Sequence, residues 1–180
     1  VKGIEAPGYS FESMSTDRPG RRSIRITHRN VARIFLRAYP ADLEERIRTS
    51  REYNLLPRAE EVRHVLDGGK PAAVWKADLP ATPDFRDHKT YVNLPPNLAP
   101  GLYLVASSAR EDFARGQNQI VALDIVVSDL VLMKRGGAEG GQEAILVSGE
   151  TGWPVSGASV GLYVYDWQKG HARVESQVTG

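Results

Sequence analysis

The stretch TGWPVSGASVGLYVYDW, Thr151 to Trp167, decides between an enzyme and a β-structured module. Within it, residues 157–161 read GASVG, the G-x-S-x-G spacing of the nucleophile elbow in serine hydrolases. An elbow requires a helix directly after its second glycine, whereas the residues after Gly161 alternate and are β-branched or aromatic, as in a strand. Ser159 is therefore predicted to be an outward-facing strand residue that follows a glycine turn, and not a nucleophile.

The other two residue types of a hydrolase triad follow Ser159 too closely. Asp166 and His171 come within 12 residues of it, on the same predicted strand and its turn. Such short spacing cannot bring three side chains around one substrate carbonyl. We therefore expect no catalytic residue in this stretch and no enzymatic activity of the chain.

The same strand has two faces of different character. Alternation places Tyr163, Tyr165 and Trp167 on one face, and Val160, Leu162 and Val164 on the other. The aliphatic face is expected to form the core of a sandwich. The aromatic face is solvent exposed, a carbohydrate platform, or an interface to a neighbouring domain. A second hypothesis is therefore an Ig-like adhesin or carbohydrate-binding module that uses this aromatic face.

Composition excludes several kinds of chemistry. The chain has 180 residues, 41% of them hydrophobic, a net charge of +1 and no cysteine. Disulfides, cysteine-ligated zinc and thiol nucleophiles are therefore absent. The four histidines, His28, His64, His88 and His171, lie in separate segments without ligand spacing. We expect no metal site and no cofactor, and the absence of a long apolar run predicts no membrane contact.

A run of arginines near the beginning is the strongest concentration of charge. It consists of Arg18, Arg21, Arg22, Arg25 and Arg29. A polyanion-binding domain centred on Arg21, Arg22 and Arg25 is a third, weaker option. Alternation of Arg25 and Arg29 along one strand favours a solvated face, and no aromatic residues are interleaved as in nucleic-acid sites. We therefore expect no nucleic-acid partner.

Short strands bounded by Pro, Gly, Asn or Asp dominate the chain after residue 21. The clearest are AAVWKADLP (72–80), KTYVNLP (89–95), GLYLVASSAR (101–110) and QIVALDIVVSDLVLMKR (119–135). Helices between successive strands, which a parallel α/β fold needs, are missing. The sequence predicts a mainly β protein, an antiparallel sandwich of the Greek-key type.

The predicted organisation has three parts. Residues 1–20 form a leader, residues 21–127 form the sandwich, and residues 128–180 form a partial second sandwich, because about 100 residues are needed for a complete one. Short helices are inserted at about 42–67. Asp42 is the predicted N-cap of the first, and Pro57 lies in the first turn of the second, whose apolar face is Val62, Val65 and Leu66.

Four segments together resemble the bacterial α2-macroglobulin family. They are RNVARIFLRAYPADLEERI (29–47), LAPGLYLVASSAR (98–110), IVVSDLVLMKR (125–135) and ETGWPVSGASVGLYVYD (150–166). In that family, macroglobulin (MG) domains, each a seven-stranded antiparallel sandwich, repeat along a very long chain. The second segment is similar to a late strand, the third to the junction between two MG domains, and the fourth to a hairpin typical of MG and related Ig-like modules.

The resemblance implies a structural role. The family traps proteases covalently through a Cys-x-Glu-Gln thioester in a separate helical domain and through a cleavable bait region. This chain has no cysteine, so it cannot carry the thioester. The resemblance therefore implies scaffold domains of an exported, periplasmic or cell-envelope protease inhibitor. It implies that partners are neighbouring domains of the same long chain, and that proteases are met only through the full-length protein.

Overall fold

A computed structural model describes residues 6–14, 22–55, 59–136 and 142–180, with Ala59 and Gln142 described by their backbone only. The described elements, in chain order, are β1 (Gly8–Ser13), β2 (Ser23–Arg29), β3 (Arg33–Ala41), α1 (Leu43–Thr49), α2 (Ala59–Gly68), β4 (Ala73–Asp78), β5 (His88–Asn93), β6 (Gly101–Ser108), β7 (Ile120–Val127), β8 (Leu130–Gly136), β9 (Gln142–Ser148), β10 (Ser159–Asp166) and β11 (Gly170–Val178). Every strand pair among them is antiparallel. The predicted mainly β, antiparallel fold with short helices is confirmed.

The chain divides into two compact units. Unit 1 comprises Val1–Ala41 and Pro57–Val127, and unit 2 comprises Asp42–Leu56 and Ser128–Gly180. The helical insertion expected at about 42–67 is thus divided, because α1 belongs to unit 2 whereas α2 belongs to unit 1. The expectation for Pro57 lies outside the described residues.

Unit 1 is a sandwich of two sheets. In the described part of the chain, one sheet has the order β1-β2-β5 and the other the order β4-β3-β6-β7. Inward-facing aliphatic and aromatic side chains of both sheets form one core, with Ile24 and Ile26 from β2 facing Leu36 from β3 and Val105 from β6. Each of these four side chains is fully buried. Burial of alternate residues along each strand is what holds the two sheets together.

The four-stranded sheet of unit 1 is covered on both faces. Residues Leu102–Ser108 of β6 are all buried or half-buried, in contrast to the alternation expected of a strand that faces water. Its outward residue Leu104 joins a second cluster with Tyr39 and Phe113, against which Val65 and Leu66 of α2 pack. The predicted apolar face of α2 therefore covers the outer face of this sheet.

The leader predicted for residues 1–20 is wrong where the structure describes it. Residues 8–13 form β1, which pairs with β2 in register from Gly8 opposite Arg29 to Ser13 opposite Ile24. Tyr9 and Phe11 are buried in the core. The hydroxyl of Tyr9 donates to the Gln119 carbonyl at 2.8 Å, just before β7. Two buried aromatic side chains therefore make this segment part of the sandwich.

Unit 2 contains two separate hairpins within the described residues. β8 pairs with β9, and β10 pairs with β11 with a register shift between Leu162 and Tyr163. α1 begins after Asp42, whose carboxylate accepts a hydrogen bond from the Glu45 amide at 2.9 Å, which confirms the predicted N-cap. Each of these hairpins has only two strands, and the partial second sandwich expected for residues 128–180 stays a prediction.

Two histidines from separate segments of the sequence are brought together in unit 1. His28 of β2 is the register partner of His88 of β5, and their ring centroids are 6.5 Å apart. His28 is fully buried, with Nε2 2.9 Å from the Thr90 hydroxyl. His88 lies 2.9 Å from the Asp84 carboxylate. Burial, and then the positive charge that His88 carries when protonated, lower the pKa of His28.

We expect the free energy of unfolding of unit 1 to fall as the pH decreases below 6.5, the ordinary pKa of histidine. The pKa of His28 in the folded chain lies below its ordinary value of 6.5. The unfolded chain therefore binds more protons once pH falls below that value, and the free energy of unfolding declines until the folded-state pKa is reached. Denaturant unfolding at several pH values between about 7 and 5 measures how the free energy of unfolding depends on pH.

His28→Gln is expected to reduce this pH dependence, and His64→Gln, a change at an exposed position on α2, is expected to retain it. An unchanged slope in His28→Gln would show that other groups cause it.

Candidate interaction surface

Ser159 and its supposed partners lie at opposite ends of one hairpin. Ser159 is exposed at the beginning of β10 and pairs with Val178, whereas Asp166 is at the end of β10, opposite Gly170. Asp166 is seven residue steps of extended chain from Ser159, a distance of about 23 Å. His171 is directed elsewhere, because its Nε2 lies 2.7 Å from the Glu52 carbonyl oxygen. The structure therefore does not assemble a Ser-His-Asp site from these residues.

The predicted aromatic row is not one face. Trp167 lies in the turn after β10 and is 77% exposed, whereas Tyr163 and Tyr165 lie within the strand. Tyr165 instead packs against other aromatic rings, with its centroid 5.4 Å from that of Tyr53 and 5.1 Å from that of His171. A flat carbohydrate platform made of the three predicted residues is therefore not present in this conformation.

The segment 50–53 binds the turn of the β10–β11 hairpin. The Arg51 guanidinium donates to the carbonyl of Lys169 at 2.9 Å and to that of Gln168 at 3.3 Å. The Tyr165 hydroxyl donates to the Arg51 carbonyl at 3.0 Å. Most of these contacts involve backbone carbonyls, so their geometry depends on the path of the chain in both segments.

Gly170 allows this close approach. Its backbone has φ +83°, the left-handed region that disfavours residues with a side chain. A Cβ at this position would lie 2.7 Å from the carbonyl oxygen of Ser50, well inside van der Waals contact. Glycine at position 170 therefore serves both the hairpin turn and its contact with segment 50–53.

An open groove of about 550 Å³ lies between the two hairpins of unit 2. Its apolar walls include Leu132 of β8, Leu146 of β9, Leu162 of β10 and Val178 of β11. Leu146 is buried, but Leu162 is 54% exposed and Val178 is 68% exposed. Of the aliphatic face predicted as core, Val160 and Leu162 therefore line this groove, whereas Val164 does not line it and is 51% exposed.

The hairpin β8–β9 is apolar on both faces. Leu130 and Leu132 alternate with Val131 and Met133 along β8, and all four are exposed. The largest concentration of exposed apolar side chains in the described residues thus lies in unit 2. Such a surface marks a contact with another polypeptide more often than a solvated face.

The arginine run is largely paired with carboxylates where the structure describes it. Arg18 and Arg21 lie outside the described residues. Arg25 forms an ion pair with Glu12, and Arg29 lies 4.0 Å from Asp87. Of the three arginines on which the polyanion hypothesis is centred, Arg25 is thus paired internally. Among the described residues, no cluster of three or more His, Asp or Glu side chains could hold a metal ion.

No described helix has the length and apolar character that spanning a bilayer requires.

These features define the chain as an antiparallel β-sandwich protein with an exposed apolar groove. No protein-family model and no curated protein matches it. Its fold is similar to that of two solved structures of native alpha-2-macroglobulin from Escherichia coli. The structure that spans domains MG0-NIE-MG1 has 16% sequence identity and a TM-score of 0.61, and the match covers 97% of this chain and 58% of that one.

The second of these structures spans domains NIE-MG1. It has 15% sequence identity and a TM-score of 0.61, and the match covers 97% of this chain and 83% of that one. The resemblance to bacterial α2-macroglobulin that the sequence indicated is thus confirmed at the level of the fold. At this sequence identity the similarity shows a similar fold, and it assigns no functional role to individual residues of this chain. The chain spans 58% of the length of the longer structure.

Sequence reasoning missed two parts of this surface. It assigned no role to Ser50, Arg51 and Glu52, because nothing local in their sequence indicates a partner more than 100 residues away. It read Trp167 as a strand residue, although QKG at 168–170 contains a glycine that could have marked the hairpin turn.

Proposed function

We propose that this chain is a non-catalytic scaffold segment of a bacterial alpha-2-macroglobulin-like endopeptidase inhibitor, and that the inhibitor acts in the periplasm or cell envelope. The observation that supports it is the likeness of fold over 97% of the chain to alpha-2-macroglobulin structures of E. coli. In this proposal the segment positions other parts of a longer protein, and proteases are met only by that protein as a whole.

The proposed partners are neighbouring domains of the same polypeptide. Both similar structures are described as spanning several domains of one protein. The exposed apolar surface of unit 2 suits permanent contacts, which are more hydrophobic than transient ones. A domain that bound a separate soluble partner reversibly would expose fewer aliphatic side chains in its free form.

The inhibitor part of the proposal is tested with the full-length protein in which the chain occurs. We expect that protein to slow the digestion of fluorescein-labelled casein by an endopeptidase such as trypsin. The 180-residue chain alone, at the same molar ratio, should have no effect. Failure of the full-length protein against a panel of serine, cysteine and metallo-endopeptidases would contradict the inhibitor role.

We expect the chain to have no hydrolase activity that depends on Ser159. The reason is geometric, since Asp166 is about 23 Å away along the strand and His171 contacts Glu52. Release of p-nitrophenol from acetyl and butyryl esters should equal the buffer rate for the unmodified chain and for Ser159→Ala.

Ser176→Ala is the matched control, because the Ser176 hydroxyl lies 3.5 Å from that of Ser159 on the neighbouring strand. A rate above background that Ser159→Ala abolishes and Ser176→Ala leaves intact would overturn the non-catalytic assignment.

A further inference from the structure

We propose that His28 and His88 form an acid-sensitive latch at one end of unit 1. Loop 80–87, which precedes β5, is attached to the turn between β2 and β3 at neutral pH. In acid the loop separates from that turn together with His88, while the rest of the sandwich stays paired. The latch goes beyond the proposed function and does not depend on it, because it involves groups within unit 1 only.

Side-chain contacts attach loop 80–87 to the turn. The Asn30 amide, directly after β2, donates to the Thr82 hydroxyl at 2.8 Å. The Arg29 guanidinium lies 4.0 Å from the Asp87 carboxylate. Thr82 is buried, whereas the other residues of the loop are exposed. A loop with little buried surface is an element that opens locally at a low cost in free energy.

His28 lies at the same end of the sheet as the loop. It forms the last register pair of β2 and β5 with His88, which directly follows the loop. Its side chain is fully buried, and its Nε2 is 2.9 Å from the Thr90 hydroxyl. Its Nδ1 is also buried and has no hydrogen-bond partner among the described residues. A neutral ring with its proton on Nε2 needs no acceptor at Nδ1, so the closed conformation suits the neutral form of His28.

Protonation of His28 makes the closed conformation unfavourable. The protonated ring carries an N–H on both nitrogens, so Nδ1–H becomes a buried donor without an acceptor. The new charge is also buried, and the His88 ring, with its centroid 6.5 Å away, carries a charge of the same sign when it is protonated. Burial and then His88 lower the pKa of His28 for these reasons. Water that reaches the ring removes these penalties.

The titratable and charged groups on the elements around His28 do not offset its charge. They are Tyr9 of β1, Arg29 of β2, His88 and Lys89 of β5, Tyr103 of β6, and Asp84 and Asp87 of loop 80–87. Burial keeps Tyr9 uncharged by raising the pKa of its hydroxyl. Alternation places Arg29 and Lys89 on the opposite face of the sheet. The core side chains that the facing sheet contributes carry no charge.

The contact between Asp84 and His88 belongs to the moving part. The carboxylate lies 2.9 Å from Nε2 of His88, which follows it by four residues. The hydrogen bond from His88 lowers the pKa of Asp84 below its ordinary value of 3.8, so the carboxylate stays ionised between about pH 7 and 5. The contact therefore persists in acid, and the loop and His88 separate from His28 as one piece.

Hydrogen exchange of backbone amides measures this opening. The Asn30 amide is bonded to the loop, and the Leu79 amide donates to the carbonyl of Ala32 in the turn at 2.8 Å. Both bonds break when the loop separates from the turn. The Gly69 amide, bonded at the end of α2, is the control. Exchange rates of the 180-residue chain are measured by NMR between about pH 7 and 5 and divided by the intrinsic rates at each pH.

The open conformation binds a proton at the ordinary pKa of 6.5, and the closed conformation binds it at a lower pKa. The open fraction therefore rises as the pH falls below 6.5. We expect the protection of Asn30 and Leu79 at about pH 5 to be lower by about fivefold or more, and by no more than about thirtyfold, since each pH unit adds at most about a factor of ten. Protection of Gly69 should stay unchanged, because local opening of α2 does not hydrate His28. Equal protection of Asn30 at both ends of the pH range would overturn the proposal.

Urea separates opening of the loop from unfolding of the whole unit. Below the unfolding transition, exchange at Asn30 should not depend on urea, because opening the loop exposes little surface. Exchange at Val105, which is fully buried on β6, should accelerate with urea. If both amides respond to urea equally, the loop opens only when the unit unfolds, and the proposal is wrong.

Histidine variants identify the groups responsible. His28→Gln should abolish the dependence of Asn30 protection on pH, and His64→Gln, at an exposed position on α2, should retain it. His88→Gln keeps the buried ring and removes the like charge, so it should weaken the dependence without abolishing it. This last variant decides the question if His28→Gln does not fold. A pH dependence equal to that of the unmodified chain, in either His28→Gln or His88→Gln, would contradict a latch formed by the pair.

Discussion

Replacing Leu36 with alanine is expected to lower the free energy of unfolding of unit 1 by about 2–5 kcal/mol. Leu36 is fully buried on β3, which pairs with β4 on one side and with β6 on the other. Neighbouring strands prevent the backbone from moving into the space left by the side chain. The substitution therefore loses both the burial of the leucine and the contacts of the residues around the cavity.

The fluorescence of Trp75 can be used to measure the loss of stability in Leu36→Ala. It is the register partner of Leu36 on β4 and packs against the same core. Trp153 and Trp167 are 74% and 77% exposed, so replacing both with phenylalanine should leave fluorescence from Trp75 alone at little cost in stability. Urea unfolding followed by this fluorescence then gives the difference in free energy.

Val74→Ala is the control for Leu36→Ala. Val74 precedes Trp75 on the same strand but is 64% exposed, and we expect its replacement to change stability by less than about 1 kcal/mol. Equal effects of Leu36→Ala and Val74→Ala would mean that the core of unit 1 is not where the structure places it.

Replacing Gly170 with valine is expected to destabilise unit 2 by about 2–4 kcal/mol. The residue has φ +83°, which is strained for any L-residue with a side chain and more so for a β-branched one. The new Cβ would also meet the Ser50 carbonyl oxygen at 2.7 Å. The Ser50 carbonyl oxygen belongs to the main chain and the new Cβ is bonded directly to it, so neither atom can rotate away. Segment 50–53 must therefore move away from the hairpin.

Limited proteolysis with trypsin detects that movement. The Arg51 side chain donates to the carbonyls of Gln168 and Lys169, so cleavage after Arg51 should be slow while the segment is bound and faster in Gly170→Val. Gly157→Val is a matched control, because Gly157 has φ +74° and a Cβ added there would meet no atom within 4 Å, so that variant bears the backbone strain alone. Equal acceleration of cleavage in both variants would show that strain, and not contact with Ser50, is responsible.

Strands were predictable where the pattern is local. GLYLVASS at 101–108 follows a Pro-Gly turn and contains a run of aliphatic and aromatic residues, and it forms β6. Asp42 was predictable as an N-cap because its hydrogen bond to the Glu45 amide spans only three residues. Such features depend on neighbours in sequence, so the chain itself contains the information that they require.

β1 was not predictable in the same way. GYSFES at 8–13 has only Tyr9 and Phe11 as large apolar residues and lies beside Pro7. Its strand conformation depends on pairing with β2 and on the hydrogen bonds between Tyr9 and Gln119, 110 residues away in sequence. The proximity of His28 to His88 was not predictable either. β2 and β5 are distant in sequence and come together only when the two strands pair in the sheet.

The stretch from Thr151 to Trp167 shows which features the local sequence determines and which the tertiary structure determines. Its sequence by itself determined a turn followed by a strand, and removed Ser159 from consideration as a nucleophile, because glycines and period-two alternation act locally. Which side chains are covered was decided only by tertiary structure. Tyr165 is held by segment 50–53, whereas Leu162 faces an open groove. The hydrophobic effect has no direction of its own, so the positions of distant segments determine where burial occurs.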